Sequence, residues 1–192
     1  NKEGQTILVR KYIEGTKADT HYVYDIYGNL SYVIPPLASA KTTLIQSDLD
    51  ELCYQYRYDK KNRLVEKKLP GKGWEFMVYD QQDRLVATQD AELKKKNQWL
   101  FTKYDLLGRV AYTGINTGGA RTVEQASADG ALANYVERKA AVSFTQNGLG
   151  VYYGNPTGLT TYPSGISTLL SVNYYDTYLA ETPSIAYQLI SQ

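Results

Sequence analysis

The sequence predicts a mainly all-β fold, an array of antiparallel hairpins forming a curved or spiral sheet, with one or two short helices in insertions. Three observations carry that expectation. A Tyr-Asp phrase, followed four places after its Tyr by Gly, Asn or Asp, recurs at Tyr24-Asp25, Tyr58-Asp59, Tyr79-Asp80 and Tyr104-Asp105. Apolar and polar residues alternate with a period of two around each phrase, the pattern of a half-buried strand. The composition holds 19 Tyr against 3 Phe and 1 Met, a bias toward a residue that lays its ring on a sheet and sends its hydroxyl to water or backbone.

Taken in chain order, "TILVRKYI" (6–13) and "HYVYD" (21–25) read as strands joined by the polar turn "EGTKAD". "NLSYVIPP" completes a meander that Pro35 and Pro36 stop, because proline supplies no ladder N–H. In "SDLDELC" (47–53), Ser47 is the expected N-cap, Asp48, Asp50 and Glu51 sit in the first turn, and Leu49, Leu52 and Cys53 share a face, so a short helix is predicted. From Tyr54 to about Thr113 come three hairpins, linked by "LPGKGW" and by a solvated loop "AELKKKNQ". Residues 120–142, rich in Ala, Glu and Gln, predict a helix broken at Gly130. "TQNGLGVYYGNPTGLTTYPSG" reads as loop, and a strand returns at 169–178 with a Tyr175-Asp176 pair that lacks a turn glycine. The division expected is a hairpin array over 1–119 and an insertion-bearing part over 120–192, together one continuous unit.

The phrase itself specifies a turn. Its fourth place is Gly28, Asn62, Asp83 or Gly108, the residue types that accept left-handed backbone most readily. A type I turn closed by such a residue makes a three-residue hairpin loop with a bulge, and the Asp side chain can accept from the turn backbone. Counting outward pairs Asp59 with Arg63, Asp80 with Arg84 and Asp105 with Arg109, while Asn29 stands where the first unit lacks Arg. The next rung sets Tyr24, Tyr58, Tyr79 and Tyr104 against Leu30, Leu64, Leu85 and Val110. The Asp-Arg pairs read as exposed cross-strand ion pairs, worth under about 1 kcal/mol each.

Bulk numbers exclude several functions. A formal charge of +1 gives no field that points to nucleic acid or an anionic membrane. One cysteine, Cys53, rules out an internal disulfide framework and reads as a small buried hydrophobe. No apolar run approaches the roughly 18 residues that span a bilayer, and "NKEGQTILV" is no signal peptide. Because the chain begins with Asn, a piece of a longer polypeptide is expected.

"YVYDIYGNLSYVIPP", "LCYQYRYDKKNRLVEKKLPG", "MVYDQQDRLVATQD", "LFTKYDLLGRVAYTGI" and "LLSVNYYDTY", in this order, resemble the YD repeats of the RHS family. The set is similar to the conserved central segment of large Bacteroidetes RHS repeat proteins, over about four fifths of the chain. The resemblance implies a spiral of hairpins that in full-length relatives builds a hollow shell around a C-terminal cargo, often a toxin, and an exported or cell-surface parent. Departures at 37–53 and 118–165 interrupt a simple array. The family's core motif near the cargo junction, linked to self-cleavage, is absent.

No cofactor or metal site is predicted. His21 is the sole histidine and alternates within a strand, so its spacing from Asp25 follows from the strand alone. Zinc needs more His and Cys than this chain holds, and Asp48, Asp50 and Glu51 suit a helix start better than a calcium loop. "GLGVYYG" departs from the dinucleotide fingerprint by one place. Lys94, Lys95 and Lys96 read as a loop tip. Asn29-Leu30-Ser31 matches a glycosylation acceptor, but the turn already accounts for Asn29. The remaining signal is aromatic: Trp74, Trp99, Tyr112, Tyr152, Tyr153 and Tyr162 can stack on sugar rings or serve as cross-strand core. The residues therefore predict a non-catalytic structural segment whose partners are neighbouring segments of its parent. The alternative is a module that binds carbohydrate or protein on a tyrosine-rich sheet face.

Overall fold

The computed structural model describes residues 2–177. Its elements run β1 (Leu8–Ile13), β2 (Thr16–Tyr24), β3 (Leu30–Ile34), α1 (Pro36–Ser39), α2 (Gln46–Leu52), β4 (Tyr54–Tyr58), β5 (Leu64–Lys68), β6 (Trp74–Tyr79) and β7 (Leu85–Gln89). There follow α3 (Ala91–Lys95), β8 (Gln98–Tyr104), β9 (Val110–Thr117), α4 (Arg121–Asp129), β10 (Glu137–Arg138), β11 (Phe144–Gln146), β12 (Leu149–Val151), β13 (Tyr153–Gly154) and β14 (Thr168–Val172). Strands β1 to β9 lie side by side in chain order and β14 adds beyond β9, giving one ten-stranded antiparallel sheet. The fold is all-β with a few short helices, as the hairpin phrases require.

The repeated turns have the geometry that their residues demand. Register slips by one residue at Val23/Tyr24, Arg57/Tyr58, Val78/Tyr79 and Lys103/Tyr104, so each Tyr pairs with the aliphatic residue six places on. The slip leaves Ser31, Val65, Val86 and Ala111 without a partner across the hairpin, while the left-handed place of each turn is Gly28, Asn62, Asp83 or Gly108, with φ of 84°, 58°, 60° and 78°. Gly, Asn and Asp tolerate that region because they avoid or offset the clash a larger Cβ substituent meets there.

Several local expectations are corrected. The first turn is only Glu14-Gly15, both at positive φ, and β2 begins at Thr16. The "AELKKK" stretch is helix α3: Asp90 caps it by accepting from Leu93 N at 2.8 Å, and Lys94 and Lys95 lie in its last turn. The N-cap of α2 is Ile45 rather than Ser47. Isoleucine offers no acceptor, and what remains is the reverse bond, Ile45 N to Asp48 Oδ2 at 3.2 Å. Asn147-Gly148, at φ of 50° and 80°, closes a two-residue hairpin between β11 and β12 inside a stretch expected to be loop. Beyond α4 the chain is not helical as far as residue 142.

The core lies where residues 118–167 fold back over the sheet. Val78, Ala87, Trp99, Phe101 and Tyr112 from the sheet meet Ala128, Val136, Val151 and Tyr153 from the insertion. Gln125 of α4 fastens the two, accepting from Tyr79 N at 3.1 Å and donating to Tyr79 O at 2.7 Å. At Gly114 any Cβ would lie 2.5 Å from Thr168 O and 2.7 Å from Phe101 Cζ, so glycine lets β14 and the Phe101 ring approach β9. Among the described residues, no helix is long and apolar enough to cross a membrane.

Candidate functional site

The residues picked out by the repeat converge on one feature, a spine running across the sheet at the ends of its hairpins. Within each unit the Asp organises the turn. Asp59 N donates to Arg63 O, and Asn62 N donates to Asp59 O, both at 3.0 Å. Asp59 Oδ1 accepts from Lys61 N (2.8 Å) and Arg63 N (3.0 Å), and Oδ2 accepts from Arg63 Nε at 2.8 Å. Asp80 repeats this pattern with Gln82 and Arg84, and Asp105 repeats it with Leu107 and Arg109. In the first unit Asn29 Nδ2 takes the arginine's place, 3.1 Å from Asp25 Oδ2.

Successive units are then joined by the same two side chains. The Tyr hydroxyl donates to the backbone of the preceding unit: Tyr24 to Thr6 O (3.0 Å), Tyr58 to Leu30 O (3.1 Å), Tyr79 to Leu64 O (2.7 Å) and Tyr104 to Leu85 O (2.9 Å). In return the arginine of each unit lies over the next tyrosine ring: Arg63 over Tyr79 at 4.8 Å and Arg84 over Tyr104 at 4.5 Å. Such contacts add about 0.5–2 kcal/mol each, more as they are desolvated. Arg63 also reaches Asp83 Oδ1 of the next turn at 2.7 Å.

The pair Tyr175-Asp176 continues the spine at the end of the described residues. Tyr175 donates to Val110 O at 3.1 Å, Arg109 stacks on its ring at 4.3 Å, and Asp176 receives both terminal nitrogens of Arg109 at 3.0 and 2.9 Å. Asp176 thus meets its arginine as Asp83 meets Arg63.

The Asp-Arg pairs are not exposed, which corrects the sequence reading. The side chains of Asp80 and Arg84 are 5% and 20% exposed, and those of Asp59 and Arg63 are 19% and 14% exposed. The tyrosine rings and the neighbouring turns cover them, an effect of stacking between units that a single hairpin cannot reveal. At Asp59 burial works to raise the carboxyl, but the N–H of Arg63, its guanidinium and the N–H of Lys61 outweigh it, leaving the group below the usual carboxylate range. The Arg109 hydrogen bond likewise holds Asp176 low.

The aromatic stacking candidates separate. Trp99 and Tyr112 lie inside the core, Trp99 donating to Gly119 O at 3.1 Å. Tyr153 is also buried, stacked on Tyr174 with centroids 5.4 Å apart. Trp74 is half-buried beneath Arg57, 4.2 Å from its ring centre, and Tyr152 packs edge-on against Tyr174. Tyr162 gives its hydroxyl to Glu124 at 2.8 Å. No open aromatic platform is formed by these six. Asp25, which spacing placed near His21, is engaged by Tyr27 N, Asn29 N and Asn29 Nδ2. Among the described residues no three His, Cys, Asp or Glu side chains converge as metal ligands.

One residue escaped sequence reasoning. Lys103 is buried at 5% exposure, under the insertion. The signal was present, since Lys103 shares the strand phase of Trp99 and Phe101, but a lysine beside a repeat tyrosine reads as a solvent-facing position.

Comparison with protein-family models finds no match, and comparison with curated proteins finds none. The solved structures that are similar include two crystal structures, of TcdB2-TccC3 and of TcdB2-TccC3 without its hypervariable C-terminal region. Each is 20% identical, with TM-scores of 0.48 and 0.47, over 61% of this chain and 6% of that one. The chain therefore spans about one sixteenth of those structures' length.

Proposed function

We propose that this chain is a non-catalytic structural segment of a large exported or surface RHS/YD-repeat protein, a stretch of β-wall that encloses or presents a C-terminal cargo such as a toxin. The observation that supports this reading is the spine. Each unit supplies a tyrosine hydroxyl to the strand before it, and the three units that carry an arginine lay it over the next tyrosine, so the contact is directional and repeats without closing on itself. Its Asp, Arg and Tyr side chains are engaged in holding turns and neighbours, which leaves them no free acid, base or nucleophile for a reaction. The partners are neighbouring segments of the same parent chain, which extend the sheet beyond β1 and β14 and cover edges that otherwise invite association.

Cross-linking mass spectrometry on the intact parent protein tests this. The reading expects links from Lys11 of β1 to the segment that precedes this chain, and links from β14 to the segment that follows it. Links that instead join this chain only to a separate soluble protein would overturn it, as would turnover by the isolated chain that one substitution abolishes.

A further inference from the structure

Strand β8 turns Trp99, Phe101 and Lys103 toward the insertion, Asp105 just past its end bridges to Val136, and all four are buried. Lys103 Nζ donates to Thr161 Oγ1 and, at 2.7 Å, to Pro163 O. Thr161 Oγ1 gives its own hydrogen to Asn155 Oδ1 at 2.7 Å, so it presents only lone pairs to the amine. Among the described residues Lys103 has no ion-pair partner. This sets it apart from the other buried lysine, Lys68, which lies 3.4 Å from Asp50. An ammonium carries three N–H donors, whereas a neutral amine carries two and a lone pair. Two acceptors match the neutral form, and an ammonium here would bury one donor and a full charge without partners.

The carboxylates around Lys103 are engaged elsewhere. Asp105 is held by Arg109, Asp80 by Arg84 across a small internal cavity that Lys103 also lines, and Glu124 by the Tyr162 hydroxyl. Lys139, on the far wall, pairs with Glu137. Tyr112 of β9 is the cross-strand partner of Lys103. Lys103 also lines a cleft of about 610 Å³, walled by Tyr112, Phe144 and Tyr153 and rimmed by the polar side chains of Ser143, Gln146 and Asn155.

We propose that Lys103 is a nucleophilic amine that captures a small hydroxylated aldehyde entering this cleft, as a covalent imine. The Nζ lone pair attacks the carbonyl carbon and an amine proton passes to the oxygen. Loss of water from the resulting carbinolamine then leaves the C=N bond, with no net oxidation or reduction. Apolar walls suit the carbon of the electrophile and the rim suits its hydroxyls. Burial agrees with this assignment, pushing the amine down to about 7. At neutral pH Lys103 therefore holds far more of the neutral amine than an ordinary lysine does.

The test is reductive trapping on the intact chain: glycolaldehyde with cyanoborohydride, from pH 6 to 10, followed by peptide mapping. Lys103 is expected to be alkylated at least about tenfold faster than the exposed Lys60 and Lys72 at pH 7. Its rate should level off near neutrality while theirs keep climbing. An unmodified Lys103, or one that reacts no faster than Lys60 and Lys72 and follows their pH profile, overturns the proposal. The measurement uses the unaltered protein, so no folding defect can imitate either result.

Discussion

Replacing Arg84 by Ala tests the spine at its most covered unit. The substitution removes the bonds from Nε (2.8 Å) and a terminal nitrogen (2.8 Å) to Asp80 Oδ2, the donation to Asn134 O, and the guanidinium over Tyr104 at 4.5 Å. Asp80 keeps its two backbone donors, Gln82 N and Arg84 N, both at 2.9 Å, so its charge is not left wholly unsupported. A hydrogen bond to a buried charge contributes about 1.5–3 kcal/mol and the stacked cation about 0.5–1 more. We therefore expect a loss of about 2–4 kcal/mol. Urea denaturation monitored by circular dichroism reads it as a lower midpoint at unchanged slope. Arg84→Lys should recover part of the charge term but not the planar fork. A loss under about 1 kcal/mol, the range of an exposed pair, would refute the claim that stacking between units buries these ions.

Three further outcomes follow from the same geometry. Gly108→Val should cost about 1–2 kcal/mol, because its φ of 78° disfavours a branched side chain, whereas Asn62→Gly should be near neutral; urea midpoints give the ranking, with Arg84→Ala above both. Gly114→Ala, whose Cβ meets Thr168 O and Phe101, should cost about 1–3 kcal/mol and speed hydrogen exchange in β14 before the other strands. Stability should rise from pH 7 to about 10, at up to about 1.4 kcal/mol per unit. Lys103 has a folded-state value near 7, so across that window the unfolded chain binds the extra proton and the burial penalty fades. Lys103→Met should flatten the slope, and above about pH 10 the buried Tyr112 and Tyr162, whose hydroxyls burial pushes up, should reverse it.

The hairpins were legible because their determinants are local. A left-handed place at Asn62 or Gly108 and a period-two pattern beside it fix turn, register and facing side chains within a dozen residues. The Asn147-Gly148 hairpin carried the same kind of signal but sat among glycines and threonines that read as loop. Helix α3 was hidden by its lysines, although Asp90 before Ala91-Glu92-Leu93 is a capping sequence. The burial of the Asp-Arg pairs was not legible, and for Trp99, Tyr112 and Tyr153 strand position allowed a cross-strand core without showing what covers it. That cover arises from stacking of units distant in sequence and from the fold-back of residues 118–167, which no local pattern encodes. Lys103 lies between these cases: its strand phase could be read, whereas the segment that covers it could not.

The central claim is that successive units hold one another through the tyrosine ring and the arginine above it. A double-mutant cycle on Arg84 and Tyr104, using Arg84→Ala, Tyr104→Leu and the double variant, measures that coupling directly. The two singles share one contact, with the guanidinium 4.5 Å from the ring centre, and the tyrosine's hydrogen bond to Leu85 O is lost equally with and without Arg84. The account predicts a coupling of about 0.5–2 kcal/mol. Strictly additive losses, with coupling within about 0.3 kcal/mol of zero, would contradict it and leave the hairpins as neighbours that share a sheet without an interlocking spine.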